Sequence, residues 1–388
     1  MLFLSGVNYW PRSSAMGMWK RFDRGEIAED LGHIAALGLG TVRFFLTWED
    51  FAPDSTTIDS RALKHLSWIL EEISAKSLNA IPTLFTGHMS GVNWLPHWTL
   101  EPGRPAERFR TISGNQPQPW GIGDFYTGPL LHAQQRLARE VAACGQGCEA
   151  ILAWDLGNEF SNLRCPSSPA AAAHWSQTLS HELSSRSRRP VTGGTHGEDL
   201  TSDRNLRLSS IAAPWEFATM HGYSVYSDFA RDRLDPSVVP FLHGLAAGFA
   251  GKPVLFSEYG NPACLPNTAP SIDQNGMACL DEDEMSVYAR AVFDRLHADG
   301  ALGALWWCWA DYPASLTHLP PFDEAPHELR FGLIRSDGSE KPVAQTLANL
   351  AREAREVRPP RPFMLDEDRY YAELPRATPR AYAAFLAR

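Results

Sequence analysis

Two short segments place carboxylates where chemistry can use them. In ILAWDLGNEF, residues 151–160, an apolar run ends by setting Asn158 directly before Glu159; in KPVLFSEYG, residues 252–260, a second apolar run ends on Glu258 and Tyr259. Each run reads as a buried strand, so each delivers a carboxylate at a strand end. Two carboxylates in one place divide labour only when their surroundings differ, one staying protonated as an acid while the other stays ionised. Cleavage of a glycosidic bond needs that division. Carboxyl groups roughly 5–5.5 Å apart allow one to protonate the leaving oxygen while the other attacks the anomeric carbon, and a wider gap admits a water. A lone Asn-Glu pair would read better as a carboxylate stabilised at a helix N-terminus. The second glutamate reverses that preference.

The elements that must position these groups alternate along the chain. Strand-like runs at 3–10, 40–48, 78–85, 151–158, 189–196, 216–224, 252–260 and 301–312 are each followed by a helical stretch, at 25–38, 59–76, 130–144, within 168–187, near 203–211, near 238–250, at 281–298 and at 340–356. Asp59 reads as the N-cap of the second helix, and the acidic run 281–284 as the charged first turn of the seventh. Pro82 sits awkwardly inside the third strand, because a central strand has no place for a missing donor. Eight strand–helix units with apolar strands predict an α/β fold, a (β/α)8 TIM barrel over residues 1–357, with 358–388 as a short C-terminal helical extension packed on its exterior. A doubly wound open sheet is the runner-up, but it wants a glycine-rich phosphate turn after an early strand, and the first strand ends in Asn8-Tyr9-Trp10-Pro11.

Catalytic groups in such barrels stand at the C-terminal ends of the strands. Those positions hold Asn8 and Tyr9, Arg43 and Trp48, His88, Asn158 and Glu159, His221 and Tyr223, Glu258 and Tyr259, and Trp306, Trp307 and Trp309. Glu159 and Glu258 therefore face one mouth from the fourth and seventh strands. Asp155, by strand alternation, points away from the neighbours of Asn158 and reads as a structural hydrogen-bonding residue. His97, His318 and His327 read as loop or rim residues, and Trp94 and Trp98 as loop packing or sugar contacts in equal measure.

LGNEF on the fourth strand and LFSEYG on the seventh resemble the Asn-Glu and Glu motifs of glycoside hydrolase clan A, and family 5 most of all. Arg43, His88, the His221-x-Tyr223 pair and a tryptophan at the end of the eighth strand fall in register with that family's pattern along nearly the whole barrel. Phe160 follows the Asn-Glu pair where the family usually has proline, a departure confined to the loop. The resemblance implies a retaining β-glycosidase with Glu159 as acid/base and Glu258 as nucleophile. It implies that Asn158 binds the sugar 2-hydroxyl, that Arg43 and Tyr223 orient Glu258 and keep it charged, that His88 and His221 line the site, and that Trp307 is the stacking platform, with Trp306 and Trp309 also offered by WWCW. GHMSGxNW after the third strand and FGLIRSDGSEKP near the end resemble members acting on β-mannosides, so an exo-acting β-mannosidase is the leading expectation. A β-glucosidase or other β-hexosidase and an endo-β-1,4-mannanase are the alternatives. The chemistry calls for no metal and no organic cofactor.

Composition narrows the field from the other side. A net charge of −10 and the absence of basic runs interleaved with aromatics argue against nucleic acid as partner. No stretch of 18 apolar residues predicts a membrane span, and the N-terminal residues read as a first strand with no signal-peptide pattern. The expectation is a cytoplasmic protein acting on oligosaccharide or glycoside substrates, with its six cysteines reduced. A metal-dependent barrel hydrolase would want His-x-His on the first strand, where GVNYW stands; a phosphate-binding barrel would want glycine-rich turns after the last two strands. A catalytically silent sugar-binding barrel keeps no need for two carboxylates. The long loops 87–127 and 310–331, rich in Trp, His, Pro and Asp, are expected to wall a cleft into a pocket.

Overall fold

A ring of eight parallel strands carries every predicted strand–helix unit in a computed structural model that describes residues 1–264, 271–272 and 277–388. The strands are β1 (Leu4–Tyr9), β2 (Thr41–Thr47), β3 (Asn79–Thr86), β4 (Trp154–Asn158), β5 (Val191–His196), β6 (Ala218–His221), β7 (Val254–Tyr259) and β8 (Gly303–Trp306), with β8 closing on β1. The main helices outside the ring are α1 (Arg24–Ala36), α2 (Ser60–Ala75), α3 (Gly128–Cys144), α4 (Pro169–Ser187), α5 (Leu208–Ile211), α6 (Val238–Ala250), α7 (Glu282–Ala298) and α8 (Pro342–Arg352). This is the (β/α)8 barrel that the alternation of apolar runs predicts.

Local chemistry explains the boundaries. Asp59 caps α2 by accepting from the backbone N–H groups of Arg61 and Ala62, at 2.7 and 3.0 Å. Asp281 and Glu284 form a reciprocal capping box at the start of α7. Pro82 is tolerated because its missing N–H would point toward β4, where pairing skips from Ala80–Ile151 to Thr83–Asp155. The eighth strand is shorter than predicted: its regular part ends at Trp306, beyond which Trp307 N–H donates to Tyr259 O, Cys308 N–H to Phe331 O and Trp309 N–H to Asn8 O.

The C-terminal extension differs from expectation in having two helices, α9 (Glu367–Ala372) and α10 (Ala377–Leu386), with Pro375 between them. It lies along α6, where Phe363 N–H donates to Gly244 O, and a Cβ at Gly248 would come 2.5 Å from the Phe363 carbonyl oxygen. Tyr371 and Tyr382 fasten it by donating to Asp199 O and Asp235 Oδ2, each at 2.6 Å. The cysteines depart from expectation as well. Cys264 and Cys279 form a disulfide, because the bridge between Ala263 and Leu280 brings their Cα atoms to 4.9 Å, inside disulfide range. Among the described residues no helix is long and apolar enough to cross a membrane.

One core residue makes stability depend on pH. His243, on α6, is fully buried with neither ring nitrogen hydrogen-bonded, and burial holds it down to about 4. The unfolded chain binds a proton there near the ordinary value of 6.5, so stability falls as pH drops from about 6.5 toward 4, by up to about 3 kcal/mol from this group. The variant His243→Leu is expected to lose less Tm than the native protein between pH 7 and pH 4.5 in scanning calorimetry. An unchanged difference would remove His243 as a source of acid sensitivity.

Candidate active site

The strand ends form the floor of a cavity of about 1080 Å³. Register shifts near the ends of β4, β6 and β7 interrupt strict alternation, as bulges at barrel rims do. Glu159 follows in the left-handed region, at φ 45°, which aims its side chain inward from a sharp turn. Its backbone N–H donates to Gly194 O at 2.9 Å, and a Cβ at Gly194 would lie 2.0 Å from Gly157 O, so β5 needs glycine to approach.

Arg43 is the hub beneath the floor, wholly buried. Its Nε donates to Asp155 Oδ2 at 2.9 Å, Nη1 to Asn8 Oδ1 at 3.0 Å and to Glu258 Oε1 at 2.5 Å, and Nη2 to Asn158 Oδ1 at 2.9 Å. One guanidinium thus ties β1, β2, β4 and β7 together. Asp155 is structural, as expected, but its direction is not: the register shift between Asp155 and Asn158 lets both reach Arg43. Asn158 Nδ2 gives one hydrogen to His88 O at 3.1 Å and keeps the other for a ligand.

Glu258 receives a second donor, Tyr223 Oη, at 2.7 Å to Oε2. Glu159 has a different shell. Oε1 faces His221 Nδ1 at 3.1 Å; Oε2 accepts from Asn162 Nδ2 at 3.1 Å and faces His88 Nε2 at 3.7 Å and His196 Nδ1 at 3.8 Å. One oxygen of each glutamate and a His221 nitrogen all lie within 4.8 Å of one another. These are the histidine and carboxylate groups, among the described residues, near enough to share a cation, but the guanidinium already on Glu258 would repel a dication there.

Burial is the largest influence on both carboxyl groups and favours their neutral forms. At Glu258 burial and the neighbouring Glu159 charge prevail over Arg43 and Tyr223 and raise the carboxyl well above its usual range, so the pair holds on to its last proton. At Glu159 the imidazoles of His196, His221 and His88 overcome burial and draw the carboxyl below its usual range. The charge part of that pull requires protonated rings. Burial holds His88 down to about 4, and burial together with the Arg43 charge holds His221 down to about 3, so near neutrality two of the three rings are uncharged. The permanent cation that remains touches Glu258, and a phenol donates to the same carboxylate. Both stabilise its ionised form, so the shared proton resides on Glu159.

All eight candidate residues converge. Glu159, Glu258, His88, Asn158, His221, Tyr223 and Trp307 line the cavity, and Arg43 lies under them. Trp307 is the tryptophan at the cavity; Trp306 is turned into the structure, donating to Phe331 O, and Trp309 packs edge-on against His33. Tyr9 donates to Asp30, and Trp48 packs on Phe85 and Trp98, so these strand-end aromatics are structural. Trp98 donates to Ala52 O, and neither it nor Trp94 lines the cavity, whereas His327 does. His196 was the missed residue. It ends β5, the weakest strand signal, and is held by Ser161 Oγ at 3.0 Å beside Asp199. The other unforeseen lining comes from the loop after β6 and from Pro375, Thr378 and Pro379 of the C-terminal extension.

No protein-family model and no curated protein matches the sequence. Solved structures do match. An exo-β-1,4-mannosidase from Opitutaceae bacterium strain TAV5 is 25% identical, with a TM-score of 0.74 over 91% of this chain; the chain spans 60% of the length of that protein. A GH5_18 variant from Streptomyces cattleya in complex with Manβ1-4GlcNAc is 21% identical, with a TM-score of 0.80 over 99% of this chain and 91% of that one. A GH5_18 from Bifidobacterium longum subsp. longum gives 21% identity and a TM-score of 0.74 over 92% of this chain and 82% of that one. The chain accordingly shares its closed eight-stranded parallel barrel with these glycosidase structures, two of which are GH5_18 proteins.

Proposed function

We propose that the protein is a retaining β-glycosidase that removes a terminal β-mannosyl residue from an oligosaccharide. The observation that carries this reading is the carboxylate pair within 4.8 Å, of which only Glu258 receives both a guanidinium and a phenol hydroxyl. The spacing suits direct attack by a carboxylate. Glu258 attacks the anomeric carbon while Glu159 gives its proton to the departing oxygen, leaving a glycosyl ester on Glu258. Glu159, now ionised, takes a proton from the incoming water, whose oxygen displaces Glu258 and regenerates both groups. Asn158 offers its remaining amide hydrogen to the 2-hydroxyl, and Trp307 supplies an apolar face to the ring.

Mannose as the terminal sugar is supported by the neighbours that act on or hold β-mannosides. The test is p-nitrophenol release from β-mannoside, β-glucoside, β-galactoside and β-xyloside, by the native protein and by Glu159→Gln. A dominant β-mannoside rate is expected, with kcat/KM falling on the alkaline side as the pair loses its last proton. Glu159→Gln is expected to abolish that fall for the activated aryl mannoside and to cost about 10²–10⁴-fold on a disaccharide, whose leaving group needs the acid. A dominant glucoside rate would move the specificity to the β-glucosidase alternative, and inertness toward every glycoside would move the protein to the silent-barrel reading.

A further inference from the structure

Among the described residues, the cavity is lined unevenly around the barrel mouth. Its lining comes from the ends and loops of β3 through β8 and from the C-terminal extension, and no residue before His88 contributes. The side over β1 and β2 is shut by the loop after β8, which crosses the mouth to meet the loop after β3. Ser90 Oγ donates to Glu328 Oε2 at 2.9 Å, while Tyr226 Oη, from the loop after β6, donates to Glu328 Oε1 at 2.9 Å. Farther out, Arg110 grips both carboxylate oxygens of Asp323 and reaches Glu324 at 3.0 Å. Glu328 is buried, and a buried carboxylate stays where its donors hold it.

The acid marks the other direction. Glu159 faces His196 and Asn162, and Glu198, Arg233 and Pro375 also line the cavity. The leaving group lies on the acid's side. The strap therefore stands behind the sugar whose anomeric carbon is attacked. On the basis of the glycosidase reading above, we propose that the Ser90–Glu328–Tyr226 and Arg110–Asp323 contacts determine cleavage mode: they leave room for one sugar behind the scissile bond and so confine the enzyme to chain ends.

The test uses β-1,4-mannohexaose labelled at its reducing end, with the full-length native protein and the double variant Glu328→Ala/Arg110→Ala. The native enzyme is expected to shorten the label one sugar at a time. In the variant, fragments of two or more sugars released from the unlabelled end should rise at least about tenfold relative to mannose, with aryl-mannoside turnover still measurable. Glu328→Gln, which still accepts a hydroxyl, is expected to keep the native pattern. Aryl turnover reports the glycosidase reading, and the product ladder reports the strap. A double variant that turns over the aryl mannoside but still releases only mannose overturns the proposal, as does release of internal fragments by the native enzyme.

Discussion

If the proposed double displacement holds, replacing Glu258 by alanine is expected to lower turnover of an aryl β-mannoside by at least ~10⁴-fold, because that mechanism assigns the covalent intermediate to Glu258. The loss should exceed that of Glu159→Gln on the same substrate, since an aryl leaving group departs with little help from an acid. Added azide should restore turnover of the alanine variant. It enters the space left by the carboxylate, attacks from the face Glu258 occupied and yields the α-mannosyl azide, while Glu159 still assists departure. Azide with Glu159→Ala should instead yield the β-anomer, by attack on the intermediate from the other face. Anomeric configuration read by NMR therefore distinguishes the two roles. An α-azide from the Glu159 variant and a β-azide from the Glu258 variant would exchange the assignments.

The second large effect belongs to Arg43. Arg43→Ala removes four hydrogen bonds and strands the carboxylates of Asp155 and Glu258 in the interior. Breaking a buried ion pair on one side costs about 3–5 kcal/mol, and here two carboxylates lose the same partner. Chemical denaturation should show at least that loss, or a chain that fails to fold. Arg43→Lys separates charge from geometry: the ammonium keeps the cation but has no planar fork for Glu258, Asn8, Asp155 and Asn158 at once. It should fold with reduced stability and lose kcat more than KM, with its basic pH limb moved upward, since a poorly held Glu258 competes better for the shared proton. A lysine variant with native kcat and pH profile would show that Arg43 serves the scaffold alone.

What was legible in the sequence was whatever depends on period and order. Apolar runs of strand length alternating with amphipathic helices gave the ring, and residues at strand ends gave its floor, because in a closed parallel barrel those positions have one place to go. Register shifts were not legible. Alternation alone turns Asp155 away from Asn158, whereas the extra residue in β4 sends both to Arg43. His196 ends the run 189–196 and so was legible by position, but Gly193 and Gly194 weaken the strand signal there, since Gly194 must let Gly157 pass close by. The choice among three tryptophans depended on where the regular strand ends, at Trp306, which no periodicity encodes. Contacts across the mouth, such as Ser90 with Glu328, span 238 positions and leave no local trace.

The guanidinium under the floor also bears on how such a protein can change over generations. Since one side chain both knits four strands and, in the proposed mechanism, sets the charge of the attacking group, mutations that retune the chemistry there also loosen the barrel. The strap has no such constraint: apart from Glu328 its ion pairs are solvent-exposed, and exposed pairs contribute little to folding. New substrate ranges in this lineage are therefore expected to arise by lengthening, shortening or rewriting the loops at 87–127 and 310–331 while the inner residues stand still.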